Sequence, residues 1–286
     1  MKVKDIRADF TDSLIELYEP EEVLSFFYML SEKISNLTRV DVAIHLDKEL
    51  PQEEIKEFEK AKKRLKDQEP IQYILGETHF YGLPFMVNKN VLIPRPETEE
   101  LIDWILKDQK GNRSTLKILD IGTGSGCIAI SLAKNLPNAK VQAIDISEKA
   151  IEVAKTNAKR NKVSVKFIHQ DILKTDNLSE DFDIIVSNPP YVRALEKKEI
   201  KPNVLNNEPH QALFVSDIDP LIFYEKITNL AKKRLSAIGV LYFEINQYLG
   251  PETVGVINKV GFDLVELRKD LYNNERMIRA SLTKNI

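Results

Sequence analysis

Up to about residue 75 the apolar positions recur at helical intervals. Val23, Phe26, Phe27, Leu30 and Ile34 share one face of a helix opened by Pro20, and Ile55, Phe58, Ala61 and Leu65 make a second, narrower stripe. Such stripes are ordinarily the inside of a small bundle, and a joint role in docking a partner stays open beside that reading. The texture changes at His79. His79 to Val87 and Val91 to Pro94, on either side of Asn88-Lys89-Asn90, predict two short strands forming a hairpin.

A helix is expected from Pro96, whose first turn carries Glu97, Glu99 and Glu100 with Leu101, Ile102 and Ile105 behind. Strands and helices then alternate: strand Leu116 to Ile121, helix Cys127 to Leu136, strand Val141 to Asp145, a helix through Ala158, and strands Val163 to Ile168 and Phe182 to Ser187. A helix over Pro220 to Arg234 and a strand over Val240 to Ile245 follow, and Phe262 to Lys269 with Met277 to Leu282 read as a closing pair of strands. Continuous apolar strands alternating with helices imply an α/β fold, a parallel sheet covered on both faces. The expected division is a helical bundle over 1–76, a hairpin linker over 77–94 and an α/β domain over 95–286.

Composition narrows the partners. Forty-one basic and 44 acidic residues leave a net charge of −3, without the basic excess that accompanies nucleic-acid or anionic-membrane binding. One cysteine, Cys127, allows no internal disulfide, and the polar start has no apolar signal core, so a cytoplasmic location is expected. His45, His79, His169 and His210 lack the short spacings of metal sites, and no metal is expected.

Asp120-Ile-Gly-Thr-Gly-Ser-Gly follows a strand and opens a helix, where an α/β sheet binds its ligand. Gly122, Gly124 and Gly126 sit two apart, whereas a dinucleotide fingerprint needs its third glycine three after the second. A tight bend without that pattern suits a ligand lacking phosphates, such as S-adenosylmethionine, with Thr123 and Ser125 in the same loop. Asp145 ends the next strand, where a carboxylate can accept both ribose hydroxyls, and Asp171 after the third can meet the adenine amino group. Either aspartate taken alone could equally be a helix cap or turn residue. Three consecutive strand ends carrying Gly-rich, Asp and Asp favour the cofactor. Cys127 reads as a small core residue.

The fourth strand ends in Asn188-Pro189-Pro190-Tyr191 on the same rim. Two prolines can simply terminate a ladder. They also drive Asn188 and Pro189 into extended backbone and fix their carbonyl directions. The Asn188 side-chain oxygen and the Pro189 carbonyl then form a stiff acceptor pair for a planar –NH₂, with the Tyr191 ring beside it. A delocalised nitrogen turns positive as it attacks a methyl sulfonium, so these hydrogen bonds tighten most in the transition state.

With these motifs in view the chain resembles the HemK/PrmC family, which methylates the glutamine of the Gly-Gly-Gln motif in peptide chain release factors. The resemblance covers most of the chain and includes Pro70-Ile-Gln-Tyr-Ile-Leu-Gly, Ile93-Pro-Arg-Pro-Glu-Thr-Glu, the glycine loop, Asn188-Pro-Pro-Tyr and Glu208-Pro-His-Gln-Ala-Leu. It implies a Rossmann-like class I S-adenosylmethionine-dependent methyltransferase domain, with a helical N-terminal domain that helps recognise the release factor. It also implies that Gly122 through Gly126 and Asp145 hold the cofactor, that Asn188 touches cofactor and substrate, and that Pro189, Pro190 and Tyr191 hold the glutamine amide. Two positions depart from the family. Ile172 stands where an aromatic residue can meet adenine, and Asn246-Gln247 where the family tends to glycine and a later glutamine; Glu244 to Gln247 receive no role. The rival readings are a nucleic-acid amino-methyltransferase acting on adenine N6 or guanine N2, which the charge argues against, and a nicotinamide-dependent oxidoreductase, which the glycine spacing argues against.

Overall fold

The computed structural model describes residues 1–112 and 114–282. These fall into two compact units, Met1–Gly76 with Pro202–Asn207 and the remainder from Glu77 on. Residues 113 and 283–286, part of the α/β domain expected from the sequence, lie outside the described residues.

The first unit is helical: α1 (Val3–Leu14), α2 (Pro20–Ser35), α3 (Arg39–Ile44), α4 (Gln52–Lys66) and α5 (Ile71–Leu75). Its core is made by the two sequence stripes, with Phe10 and Leu14 of α1 added, while Ile34 packs only at the edge. Phe27 stacks on Phe58 with ring centroids 5.6 Å apart. Thr38 caps α3 reciprocally: its hydroxyl accepts from the Asp41 N–H at 3.2 Å, and the Asp41 carboxylate accepts from the Thr38 N–H at 2.9 Å.

The second unit opens with a hairpin, β1 (Glu77–Phe80) and β2 (Leu83–Met86), then α6 (Pro96–Asp108), β3 (Lys117–Ile121), α7 (Cys127–Asn135), β4 (Lys140–Asp145), α8 (Glu148–Arg160), β5 (Val165–His169) and β6 (Phe182–Ser187). A looser stretch carries β7 (Val192–Arg193), α9 (Pro202–Asn207), α10 (His210–Leu213) and β8 (Phe214–Val215). Of these, α9 groups with the helical unit, where the Asn207 side-chain amide donates to the Gln68 carbonyl at 3.1 Å. The chain closes with α11 (Ile222–Arg234), β9 (Leu235–Glu244), α12 (Gly250–Val260), β10 (Leu264–Lys269) and β11 (Glu275–Ser281).

The hairpin differs from its expected form. The turn falls at Tyr81-Gly82, both with positive φ of 49° and 72°, so that the hairpin is Glu77 to Met86, within the stretch expected to be its first strand, and Val91 to Pro94 is not a strand. Pro94 and Pro96 bar a ladder there. The segment is anchored instead by Glu208, whose Oε2 accepts the Ile93 N–H at 3.1 Å.

The main sheet runs β10-β11-β9-β6-β3-β4-β5, with β9, β6, β3, β4 and β5 parallel and β11 antiparallel to both neighbours. Alternation along the strands supplies both faces. Ile118, Ile184 and Tyr242 join a core with Trp104, Ile105 and Leu132, whereas Leu119, Ile185 and Phe243 join one with Tyr224, Ile227 and Ile257. Strand order reverses between β3 and its neighbour β6, which opens a crevice at their carboxyl ends.

Candidate active site

A cavity of about 260 Å³ lies in that crevice. Its wall is drawn from the ends of β3 (Ile121, Gly122, Gly124), β4 (Asp145), β5 (Asp171, Ile172) and β6 (Asn188, Pro189, Pro190).

The glycine loop hangs from the neighbouring strand. The N–H groups of Gly122 and Thr123 both donate to the Ile144 carbonyl, at 2.9 and 3.0 Å. At Gly126, φ is 84° and a Cβ would come within 2.9 Å of Ile130 Cδ1 and 3.1 Å of Ala154 Cβ, so glycine is required both for the turn and for the approach of α7 to α8. Thr123 and Ser125, assigned to the cofactor from sequence, are buried outside the cavity lining, as is Gly126. Thr123 braces the loop, its hydroxyl donating to Asp120 Oδ2 at 2.6 Å. That same oxygen accepts the Ala129 N–H of α7 at 3.3 Å. Burial pushes the Asp120 carboxyl up to about 7.

Asp145 is a turn residue that also lines the cavity. Its Oδ1 accepts the Ser147 N–H and its Oδ2 the Gly124 N–H, each at 2.8 Å, so it fixes the turn into α8 and the loop while lining the cavity. Burial raises its pKa, and the N–H donors of Ser147 and Gly124 oppose the rise. Asp171 likewise accepts the Leu173 N–H at 3.0 Å and still faces the cavity. Cys127 packs against the core, and burial pushes its thiol up to about 12, far from a reactive thiolate.

The proline kink stands on the same rim. Ser187, the residue before it, donates its hydroxyl to the Ile121 carbonyl at 2.7 Å and so clips β6 to β3 just below the cavity. Asn188 donates its side-chain N–H to Thr98 Oγ1 at 3.3 Å, and Thr98 donates to Glu244 Oε2 at 2.6 Å. Tyr191, expected beside the amide, is not part of the lining: its hydroxyl donates to Glu244 Oε1 at 3.1 Å and its ring packs against the Tyr224 and Phe243 core. Its carbonyl accepts from Asn246 Nδ2 at 2.9 Å, and the same nitrogen lies 2.9 Å from Glu196 Oε2. Thus Glu244 and Asn246, given no role from the sequence, hold the kink from behind.

Other residues complete the wall without having been read from sequence. Asn90, Val91 and Leu92 form one lip, Pro209, Gln211 and Ala212 another, and Phe223 of α11 adds an aromatic ring. Asn157 of α8, fully buried, accepts the Met86 N–H at 2.7 Å and donates to the Ser125 carbonyl at 2.9 Å, tying the hairpin to the glycine loop. Its signal was slight, an asparagine on an otherwise apolar helix face.

Among the described residues the lining therefore contains two carboxylates, Asp145 and Asp171, and no Lys, Arg or His; Lys174, outside it, stands 3.5 Å from Asp171 Oδ2. A phosphate-bearing cofactor would meet repulsion there, while a nucleoside carrying a positive sulfur would not. Open space above Gly124 leaves its backbone free for close approach.

Comparison with known proteins agrees with this chemistry. Residues 101–215 match the Methyltransferase small domain family, and residues 5–76 match the PrmC N-terminal domain. A release factor glutamine methyltransferase of Flavobacterium psychrophilum is 56% identical, the match covering 98% of this chain and 99% of that protein. Another from Bacteroides thetaiotaomicron is 44% identical over 96% and 99% respectively. Among solved structures, the hMettl16 catalytic domain in complex with MAT2A 3'UTR hairpin 6 aligns with a TM-score of 0.58 at 17% identity, over 82% of this chain and 84% of that one. A methyltransferase from Pyrococcus furiosus aligns with a TM-score of 0.50 at 19% identity, over 77% and 97%. At such identities these two bear on the fold alone.

Proposed function

This chain belongs to the release factor glutamine methyltransferase family, and we propose on that footing which of its residues carry the reaction. It transfers a methyl group from S-adenosylmethionine to the side-chain amide nitrogen of a glutamine in peptide chain release factors, in our reading the glutamine of the Gly-Gly-Gln motif. S-adenosylmethionine supplies, when bound, an electrophilic methyl on a positively charged sulfur.

Gly122 and Gly124 offer backbone to the donor, with Thr123, Ser125 and Gly126 holding that backbone in shape. Asp145 accepts the ribose hydroxyls through the lone pairs its two backbone donors leave over. Asp171 meets the adenine amino group, and Ile172 covers the ring with aliphatic surface. Asn188 Oδ1 and the Pro189 carbonyl accept the two amide N–H groups, while Pro190 stiffens the kink that aims them. Because those N–H groups become stronger donors as the nitrogen gains positive charge, the clamp favours the transition state over the bound amide. No lining residue is needed as a strong base, since the methylated nitrogen is acidic enough to release its proton to water. Tyr191 acts through Glu244 in this reading and not by stacking on the substrate.

The observation that carries this reading is the meeting in one cavity of a cation-free donor loop with the Asn188-Pro189 acceptors. The helical unit is assigned to recognition of the release factor, and residues 95–286, apart from Pro202–Asn207 that group with the helical unit, to catalysis. No nucleic-acid substrate is expected, in line with a net charge of −3. Among the described residues no helix is long and apolar enough to cross a membrane, and a cytoplasmic location suits a substrate of the translation machinery. The test is mass spectrometry of a release factor incubated with this protein and S-adenosylmethionine. One methyl on the Gly-Gly-Gln glutamine is expected; transfer only to DNA or RNA in a parallel incubation would defeat the reading.

A further inference from the structure

We propose that Thr98 and Glu244 form a directional hydrogen-bond relay that sets which way round the Asn188 amide stands. The inference rests on the reading of Asn188 as an amide clamp and extends it to two residues outside the cavity lining.

The argument is one of donor counting. Glu244 ends β9, is 1% exposed, and as a carboxylate can only accept. Thr98, 2% exposed in the first turn of α6, must spend its single hydroxyl proton on Glu244 Oε2, 2.6 Å away. Its oxygen is then left with lone pairs alone. The Asn188 side chain, 3.3 Å off, can answer only with its –NH₂, which turns Oδ1 away from Thr98 as the amide atom available to a ligand. Tyr191 occupies the second carboxylate oxygen at 3.1 Å, so the acceptor capacity of Glu244 toward Thr98 is not shared with a competing orientation. Without this chain, an asparagine amide turned by 180° would present two donors to a substrate group that is itself a donor, and the clamp would repel what it should hold.

The relay also gives Glu244 a required charge state. Protonated, its hydroxyl can donate to Thr98, whose own proton is freed toward Asn188, and the amide is no longer constrained. The groups facing Glu244 are Glu97 and Thr98 from α6, Cys127 from α7, Tyr191 beside the kink, Tyr224 from α11 and Arg276 from β11. Burial is the largest influence and lifts its pKa above the ordinary value, with Thr98, Arg276 and Tyr191 opposing. Methyl transfer should therefore fall away on the acid side at a higher pH than an ordinary glutamate would impose.

Thr98→Val keeps the shape and removes the hydroxyl; Thr98→Ser keeps the hydroxyl. With release factor as substrate, Thr98→Val is expected to lower kcat by about tenfold or more while Thr98→Ser stays within about threefold of wild type. S-adenosylhomocysteine affinity, measured by calorimetry, should stay within about threefold in both, since neither donor-side aspartate is touched. Glu244→Gln, which can present either a donor or an acceptor to Thr98, should be slow and should lose the acid limb of the pH profile. Wild-type kcat in Thr98→Val, or equal losses in the Val and Ser variants, would overturn the relay while leaving the clamp standing. An inactive wild type would overturn both.

Discussion

Arg95 and Glu208, 113 residues apart in sequence, meet at 2.6 Å, and the Glu208 side chain is wholly buried. The pair fastens the segment that carries Asn90, Val91 and Leu92 to the one that carries Pro209, Gln211 and Ala212, the two lips of the cavity. Removing one partner is not symmetrical with removing the other. Arg95→Ala leaves a buried carboxylate with the Ile93 N–H but without its cation and should cost about 3 kcal/mol in urea unfolding. Glu208→Gln keeps an acceptor for Ile93 and leaves Arg95, partly exposed, to water, so it should cost less. The order of the two midpoints decides the matter.

Asp145 binds two backbone N–H groups and is also the proposed ribose acceptor. Its replacement by alanine should weaken S-adenosylhomocysteine binding by about tenfold to a hundredfold, the range expected for hydrogen bonds to a charged group. Isothermal titration reads this directly. A change below about twofold would remove Asp145 from the donor site and leave it as a turn residue.

Gly126→Ala places a methyl group against Ile130 and Ala154 on a backbone with φ of 84°. Both the crowding and the left-handed strain act in the same direction, and a loss of about 1–3 kcal/mol is expected. Thermal unfolding of the variant measures it. Because Gly124 meets nothing within 4 Å, Gly124→Ala carries the strain without the crowding and should be the milder of the two for stability.

Asp120 gives stability a pH dependence. In the fold its carboxyl is pushed up to about 7 from an ordinary 3.8. Between those values the folded chain binds more protons than the unfolded chain, so this contribution is full below about 4 and lost as pH rises through about 7. Asp120→Asn imitates the protonated form. Its unfolding free energy should decline less than that of wild type between about pH 5 and about pH 8, as denaturant titration at the two values will show.

What could be read from the sequence was what local pattern determines. Phe182 to Ser187 was bounded correctly because a strand buried on both faces is a continuous apolar run ended by prolines. The glycine loop, Asp145, Asp171 and Asn188 stood out because each ends or follows a strand legible from its apolar residues. The hairpin was displaced because Asn88-Lys89-Asn90 resembles a turn, while the actual turn needed Tyr81 in a left-handed conformation that its composition does not advertise. Helix α12 was not read at all, its apolar face interrupted by Gly250, Pro251 and Gly255. Thr98 and Glu244 are joined across 146 residues, and no local signal links a threonine near a helix start to a glutamate at a strand end. Phe223 reaches the cavity only through the packing of α11, which periodicity does not place.

Ile121 and Ser187 are direct partners on adjoining parallel strands, so the residues that follow them, Gly122 and Asn188, begin the proposed donor loop and the proposed amide clamp at the same height. A slip of one residue along this ladder would displace one set of groups by about 3.3 Å relative to the other. Reacting atoms must meet at about 3–3.5 Å, so a single inserted residue in either strand would separate nucleophile from electrophile by about one full approach distance. In the proposed reading, the alignment of methyl and nitrogen is thus a property of strand registry, set when the sheet folds and before either reactant arrives.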